Sequence, residues 1–105
     1  LPLQNEGVYS SRHLYIIRLK LNKLKTSHKA IFTELKMEGL GVNLHYIPIH
    51  MQPYYKELGF NSGDFPEAEK YYSEAISIPI FPKMDQQNIK EVISILEKVI
   101  QKHTV

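Results

Sequence analysis

Cysteine is absent from this chain of 105 residues, and that removes three kinds of chemistry together. A disulfide framework, a thiolate metal site and a cysteine nucleophile are all excluded. The absence suits a cytoplasmic setting. No stretch approaches the roughly 20 apolar residues that a membrane helix needs, so no membrane partner is expected. No charged start, apolar middle and small-residue cleavage site forms a secretion signal. An excess of one charge is missing too. The 13 basic and 11 acidic residues leave a formal net charge of +2 and are scattered. Without a basic face, nucleic acid is not an expected partner. The phosphate-binding GxGxxG and GK[ST] patterns, a Ser-His-Asp order and paired acid-base carboxylates do not stand out either. The chain opens Leu1-Pro2-Leu3 without a methionine, which points to a piece of a longer protein.

What is present is an ordinary globular balance, 43% hydrophobic and 23% charged, on a length that fits one domain. Residues 1–11 read as an irregular lead-in segment and 12–105 as the domain. Arg12 to Leu21 alternates, with Tyr15, Ile17, Leu19 and Leu21 on one face and Arg18 and Lys20 on the other, which predicts a strand. Ser27 is a helix cap, Ile31 and Leu35 share a helical face, and Gly39 stops that helix. Gly41 to Ile47 alternates again and predicts a second strand. Val42, Leu44 and Tyr46 should face inward, with Asn43 and His45 opposite. A short helix follows from Pro53 to Leu58. Asp64, Pro66 and Glu67 form a second helix start with a capping box. Ile76, Ile78 and Ile80 predict a third strand, with Pro79 marking its edge or end. Asp85 caps a last helix whose Ile89, Val92, Ile93, Leu96, Val99 and Ile100 repeat at three- and four-residue steps. The order β-α-β-α-α-β-α predicts an α+β domain of two layers, a three-stranded sheet with helices on one face. The other face is then bare unless another domain covers it.

Reactive side chains concentrate in His45-Tyr46-Ile47-Pro48-Ile49-His50-Met51-Gln52-Pro53-Tyr54-Tyr55. Prolines stiffen this corner, so its groups could be held for a ligand. The same residues also suit a packed corner whose Tyr and His satisfy backbone groups, and composition leaves both readings open. A metal at His45 and His50 is not expected, because no third ligand is evident.

Four ordered segments carry a resemblance: His13-Leu14-Tyr15-Ile16-Ile17-Arg18-Leu19, the 41–55 run, Gly63-Asp64-Phe65-Pro66-Glu67-Ala68-Glu69, and Ile76-Ser77-Ile78-Pro79-Ile80-Phe81-Pro82. Together they resemble the C-terminal domain of the DegT/DnrJ/EryC1/StrS sugar aminotransferases. Within that family the wording is most similar to enzymes of the pseudaminic acid pathway and to spore coat polysaccharide biosynthesis proteins. The resemblance implies the small domain of an aspartate aminotransferase-type fold and a homodimeric parent. The parent would use pyridoxal phosphate to move an amino group from glutamate to a nucleotide-linked 4-keto-6-deoxy sugar. The Schiff-base lysine and phosphate-binding residues would lie upstream. None of Lys20, Lys23, Lys25 or Lys29 sits in the family's lysine context, so catalytic and cofactor-binding residues are expected to be absent and the piece inert. The first histidine of the family segment matches His45, which implies a place facing the sugar; Tyr46 and His50 match neighbouring positions. The alternatives are a stand-alone small-ligand-binding or regulatory α+β module, and a structural interaction domain.

Overall fold

In a computed structural model, residues 4–11 and 13–105 are described. Leu1, Pro2, Leu3 and Arg12 lie outside them, and so do those parts of the expected lead-in and first strand. Strand β1 (Tyr15–Arg18) is followed by a 3-10 turn at Leu21–Lys23 and helix α1 (His28–Met37). A second 3-10 turn at Ile49–Met51 leads to helices α2 (Pro53–Glu57) and α3 (Pro66–Glu74). Strand β2 (Ala75–Ile78) and the long helix α4 (Gln86–His103) complete the order.

Local signals account for the helix ends. Ser27 Oγ accepts from the Ala30 amide, so α1 begins where a side chain satisfies an otherwise orphaned donor. Gly39, at φ +89°, takes the left-handed turn that ends it. Asp85 and Asn88 form a reciprocal capping box on α4. At α3 the expected cap fails. Phe65 occupies the cap position without a side-chain bond. The Asp64 carboxylate instead accepts from the Asn61 amide and closes the preceding turn.

The sheet also differs from expectation. It has two antiparallel strands, with Tyr15 opposite Ile78 and Ile17 opposite Ile76. Residues 41–47 do not form a third strand; only Asn43 pairs, through both backbone bonds to Ser77. One reason is visible in the side chains. Val42 is buried, but Tyr46 is 73% exposed instead of facing the helices, so alternation holds the chain to the sheet only briefly. The His45–Tyr46 peptide bond is cis.

Ile17, Ile76 and Ile78 turn to one face and pack with Leu19, Ile31, Leu35, Leu40, Val42, Val92 and Val99. This is helix-on-sheet packing by α1 and α4. The two helices are also tied by charge: Glu34 accepts from Lys102 and His103, and Glu38 from Lys98. The C-terminal end joins the turn after β1 through Lys25 to His103 and Val105 to Lys23 backbone bonds. On α4, Val92 and Val99 are buried, whereas Ile89 and Ile93 of the same apolar stripe remain exposed.

Between Asn43 and Ala75 no residue belongs to the core cluster. That segment is an arm built beside the sheet, and its residues 53–68 are all exposed. The radius of gyration is 15.8 Å, against about 13 Å for a compact domain of this size.

Candidate functional site

The site is built where the chain leaves the sheet and enters the arm. Ser77 lies at the centre of this junction. Its backbone pairs with Asn43 on one side and it stands opposite Ile16 on the other. Since Ile76 faces the helices, strand alternation turns Ser77 to the opposite face. There its hydroxyl lies 2.7 Å from His45 Nδ1. The ring of His45 meets Tyr46 edge-on, with centroids 4.7 Å apart. His45 is half-buried and has a structural partner in Ser77. The expected side of the sheet is the observed one.

His50 occupies a different environment. It is 6% exposed, and its Nε2 lies 2.8 Å from Glu69 Oε1. The same carboxylate accepts from the Gly63 amide and the Ser62 hydroxyl. These donors, His50 foremost and then Gly63, hold the Glu69 carboxyl below the usual glutamate range. The cluster ties the 3-10 turn, the 61–64 turn and α3 into one arm. Its spacing of 19 residues gave no sequence signal. His50, named with His45 and Tyr46 as a ligand-facing residue, thus has its Nε2 engaged inside the arm.

Over this cluster lies an open, largely apolar groove of about 380 Å³ lined by Pro48, Ile49, His50, Tyr55, Phe60 and Phe65 among others. Its rings touch in series: His50 with Phe65, Phe65 with Phe60, Phe60 with Tyr55, Tyr55 with Tyr54. Ile49 in its lining is exposed, and so are Tyr46, Tyr54 and Leu58 of the same 46–58 segment. A larger depression of about 610 Å³ lies on the α1 side near Glu34 and Lys102. It touches none of His45, Tyr46 or His50, and its Glu34 already pairs with Lys102 and its Glu38 with Lys98.

A Schiff base to pyridoxal phosphate requires a lysine amine, and its phosphate requires donors. The arm groove has no lysine in its lining, and its histidine is engaged by Glu69. The groove does not fit that cofactor. Among the described residues no group of three or more His, Cys, Asp or Glu is placed to hold a metal ion. No helix is long and apolar enough to cross a membrane.

Residues 1–97 match the DegT/DnrJ/EryC1/StrS aminotransferase family. The chain belongs to that family. As a member, it is 33% identical over 102 residues to the spore coat polysaccharide biosynthesis protein SpsC of Bacillus subtilis, covering 95% of this chain and 26% of that protein. The fold is similar to the PLP form of a putative sugar aminotransferase, Spr1654, from Streptococcus pneumoniae. There the TM-score is 0.86 at 31% identity, over 97% of this chain and 26% of that one. It is also similar to Helicobacter pylori PseC, an aminotransferase involved in the biosynthesis of pseudoaminic acid. That match has a TM-score of 0.80 at 28% identity, over 89% of this chain and 24% of PseC. The chain therefore spans about a quarter of the length of the curated relatives it matches.

Proposed function

We propose that residues 12–105 are the C-terminal small domain of a pyridoxal-phosphate-dependent sugar aminotransferase, with 1–11 leading in from a large domain. The parent, a cytoplasmic homodimer, transfers the amino group of glutamate to a nucleotide-linked 4-keto-6-deoxy sugar. Similarity to PseC supports a substrate of the pseudaminic acid kind, and similarity to SpsC a role in polysaccharide synthesis. The observation that carries this reading is the match of almost the whole chain to one quarter of a PLP-form sugar aminotransferase.

In this reading the cofactor, held by the large domain, supplies the electron sink. The chain's own residues bind and orient. His45, held on the sheet face away from the helices, offers Nε2 to a hydroxyl or phosphate oxygen of the sugar nucleotide. Tyr46 presents an exposed ring and hydroxyl beside it. His50 acts from within the arm, through the shape of the corner. The exposed aromatic surface of the arm rests against the rest of the parent, which is how an apolar patch of this kind is kept from water. A stand-alone module would leave that surface uncovered.

The test is an amino-transfer assay on the full-length protein with glutamate and a UDP-linked 4-keto-6-deoxy N-acetylamino sugar. Formation of the amino sugar by the parent, with none formed by the isolated chain, is expected. A parent that binds no pyridoxal phosphate would overturn the reading.

A further inference from the structure

A buried hydroxyl must place its one proton, and Ser77 has few options. It is 5% exposed. Its backbone N–H and carbonyl are engaged with Asn43. Among the described residues, the one hydrogen-bond partner of its Oγ is His45 Nδ1, at 2.7 Å. Two arrangements satisfy that distance. If Nδ1–H donated to the hydroxyl, the Ser77 proton would be left buried without an acceptor among the described residues, which is unfavourable. If the hydroxyl donates to Nδ1, both groups are satisfied, and the neutral imidazole carries its proton on Nε2.

We infer that Ser77 is a positioning residue that fixes the ring orientation and tautomer of His45, presenting Nε2–H outward as a hydrogen-bond donor. The strand geometry makes Ser77 suited to this. It sits between β1 and the Asn43 bridge, so its Oγ is carried by backbone restrained on both sides. His45 Nε2 has no partner among the described residues, and Tyr46 packs edge-on against the ring. A donor fixed in this way matches an oxygen acceptor, such as a sugar hydroxyl, a ketone or a phosphate. It does not match a role as proton-abstracting base, for which Nε2 would have to carry a lone pair. This inference rests on the reading that His45 faces the sugar, and it narrows that reading to donation from Nε2.

The experiment is long-range ¹H–¹⁵N NMR of the histidine rings of the chain, at a pH where the imidazoles are neutral. For His45 a single tautomer is expected, with Nδ1 as the bare acceptor nitrogen and Nε2 protonated. Ser77→Ala should admit a detectable Nδ1–H population and increase ring motion in ¹³C relaxation, and Ser77→Thr should restore the single form. Methyl resonances of Ile76 and Val99 report whether each variant keeps the core. A wild-type ring protonated on Nδ1, or a folded Ser77→Ala chain with unchanged tautomer and ring motion, overturns the assignment. Because no sugar takes part, this result judges Ser77 separately from the substrate-facing role of His45, which turnover of the parent judges.

Discussion

His45 and His50 lie five residues apart in one segment, yet they are held in different ways. His50 has Nε2 bound to Glu69 beneath an aromatic cover, whereas His45 has Nδ1 bound to Ser77 and leaves Nε2 unengaged among the described residues. The sequence marked both as reactive types on a stiff corner but could not separate them. Glu69 lies 19 residues from His50, and Ser77 lies 32 from His45. The sequence does offer a trace of Ser77, a lone polar residue inside Ile76-Ser77-Ile78, although strand alternation alone explains it. Pairing changes the expected cost of mutation. With no partner, His45→Ala would stay within roughly 0.5 kcal/mol, as surface changes do. Because the change strands the Ser77 hydroxyl, a loss of about 1 kcal/mol is expected by urea denaturation. The His45→Ala, Ser77→Ala double variant should lose little more than either single one. Additive losses would show that the two groups are not coupled. Tyr46→Ala, at an exposed position, should leave the stability of the isolated chain nearly unchanged.

At the scale of elements, legibility follows how local the physics is. Ser27, Gly39 and Asp85 each act within a few residues, and both helices begin or end where those residues say. Removing the Asp85 cap by Asp85→Ala should cost about 1 kcal/mol in thermal or urea unfolding. The 41–47 strand misled because its alternating pattern does not reveal what covers each face. Val42 meets the core, but Tyr46 and Ile47 meet solvent. Asp64 misled because two nearby amides could each use its carboxylate, and the turn at Asn61 took it. The arm is held by the Glu69 cluster, and this makes it sensitive to acid. Glu69 is held below its usual range by His50 first and then Gly63, and Glu34 is held down by Lys102 and then His103. A carboxyl with a depressed folded-state pKa stabilises above its unfolded value. That contribution is lost as pH falls through the folded one. Protection of the Gly63 amide against hydrogen exchange should therefore hold at neutral pH. It should decline below the ordinary glutamate pKa of about 4.3. Glu69→Gln should remove most of this decline, and an unchanged pH profile in that variant would contradict the role given to Glu69.

For the whole molecule, the core and the arm answer to different partners. The core is complete in itself: Ile31, Leu35, Ile76 and Val99 are fully enclosed by α1, α4 and the sheet. Leu35→Ala should cost about 2–5 kcal/mol in urea unfolding, a large share of the about 5–15 kcal/mol that holds a domain folded. The arm carries aromatic residues without enclosing them, and periodicity cannot tell an apolar residue meant for a core from one meant for another domain. The proposed function assigns those aromatics to an interface with a large domain, and the chain spans about a quarter of the length of its relatives. The central claim is that this domain brings His45 to the sugar nucleotide. Its most direct test is kcat/KM of the full-length protein with His45→Ala, normalised to folded, cofactor-loaded enzyme. A hydrogen bond to the substrate worth about 1.5–3 kcal/mol predicts a fall of roughly ten- to a hundredfold. A variant whose kcat/KM matches the unaltered protein, while its unfolding midpoint drops, would show that His45 serves only the fold.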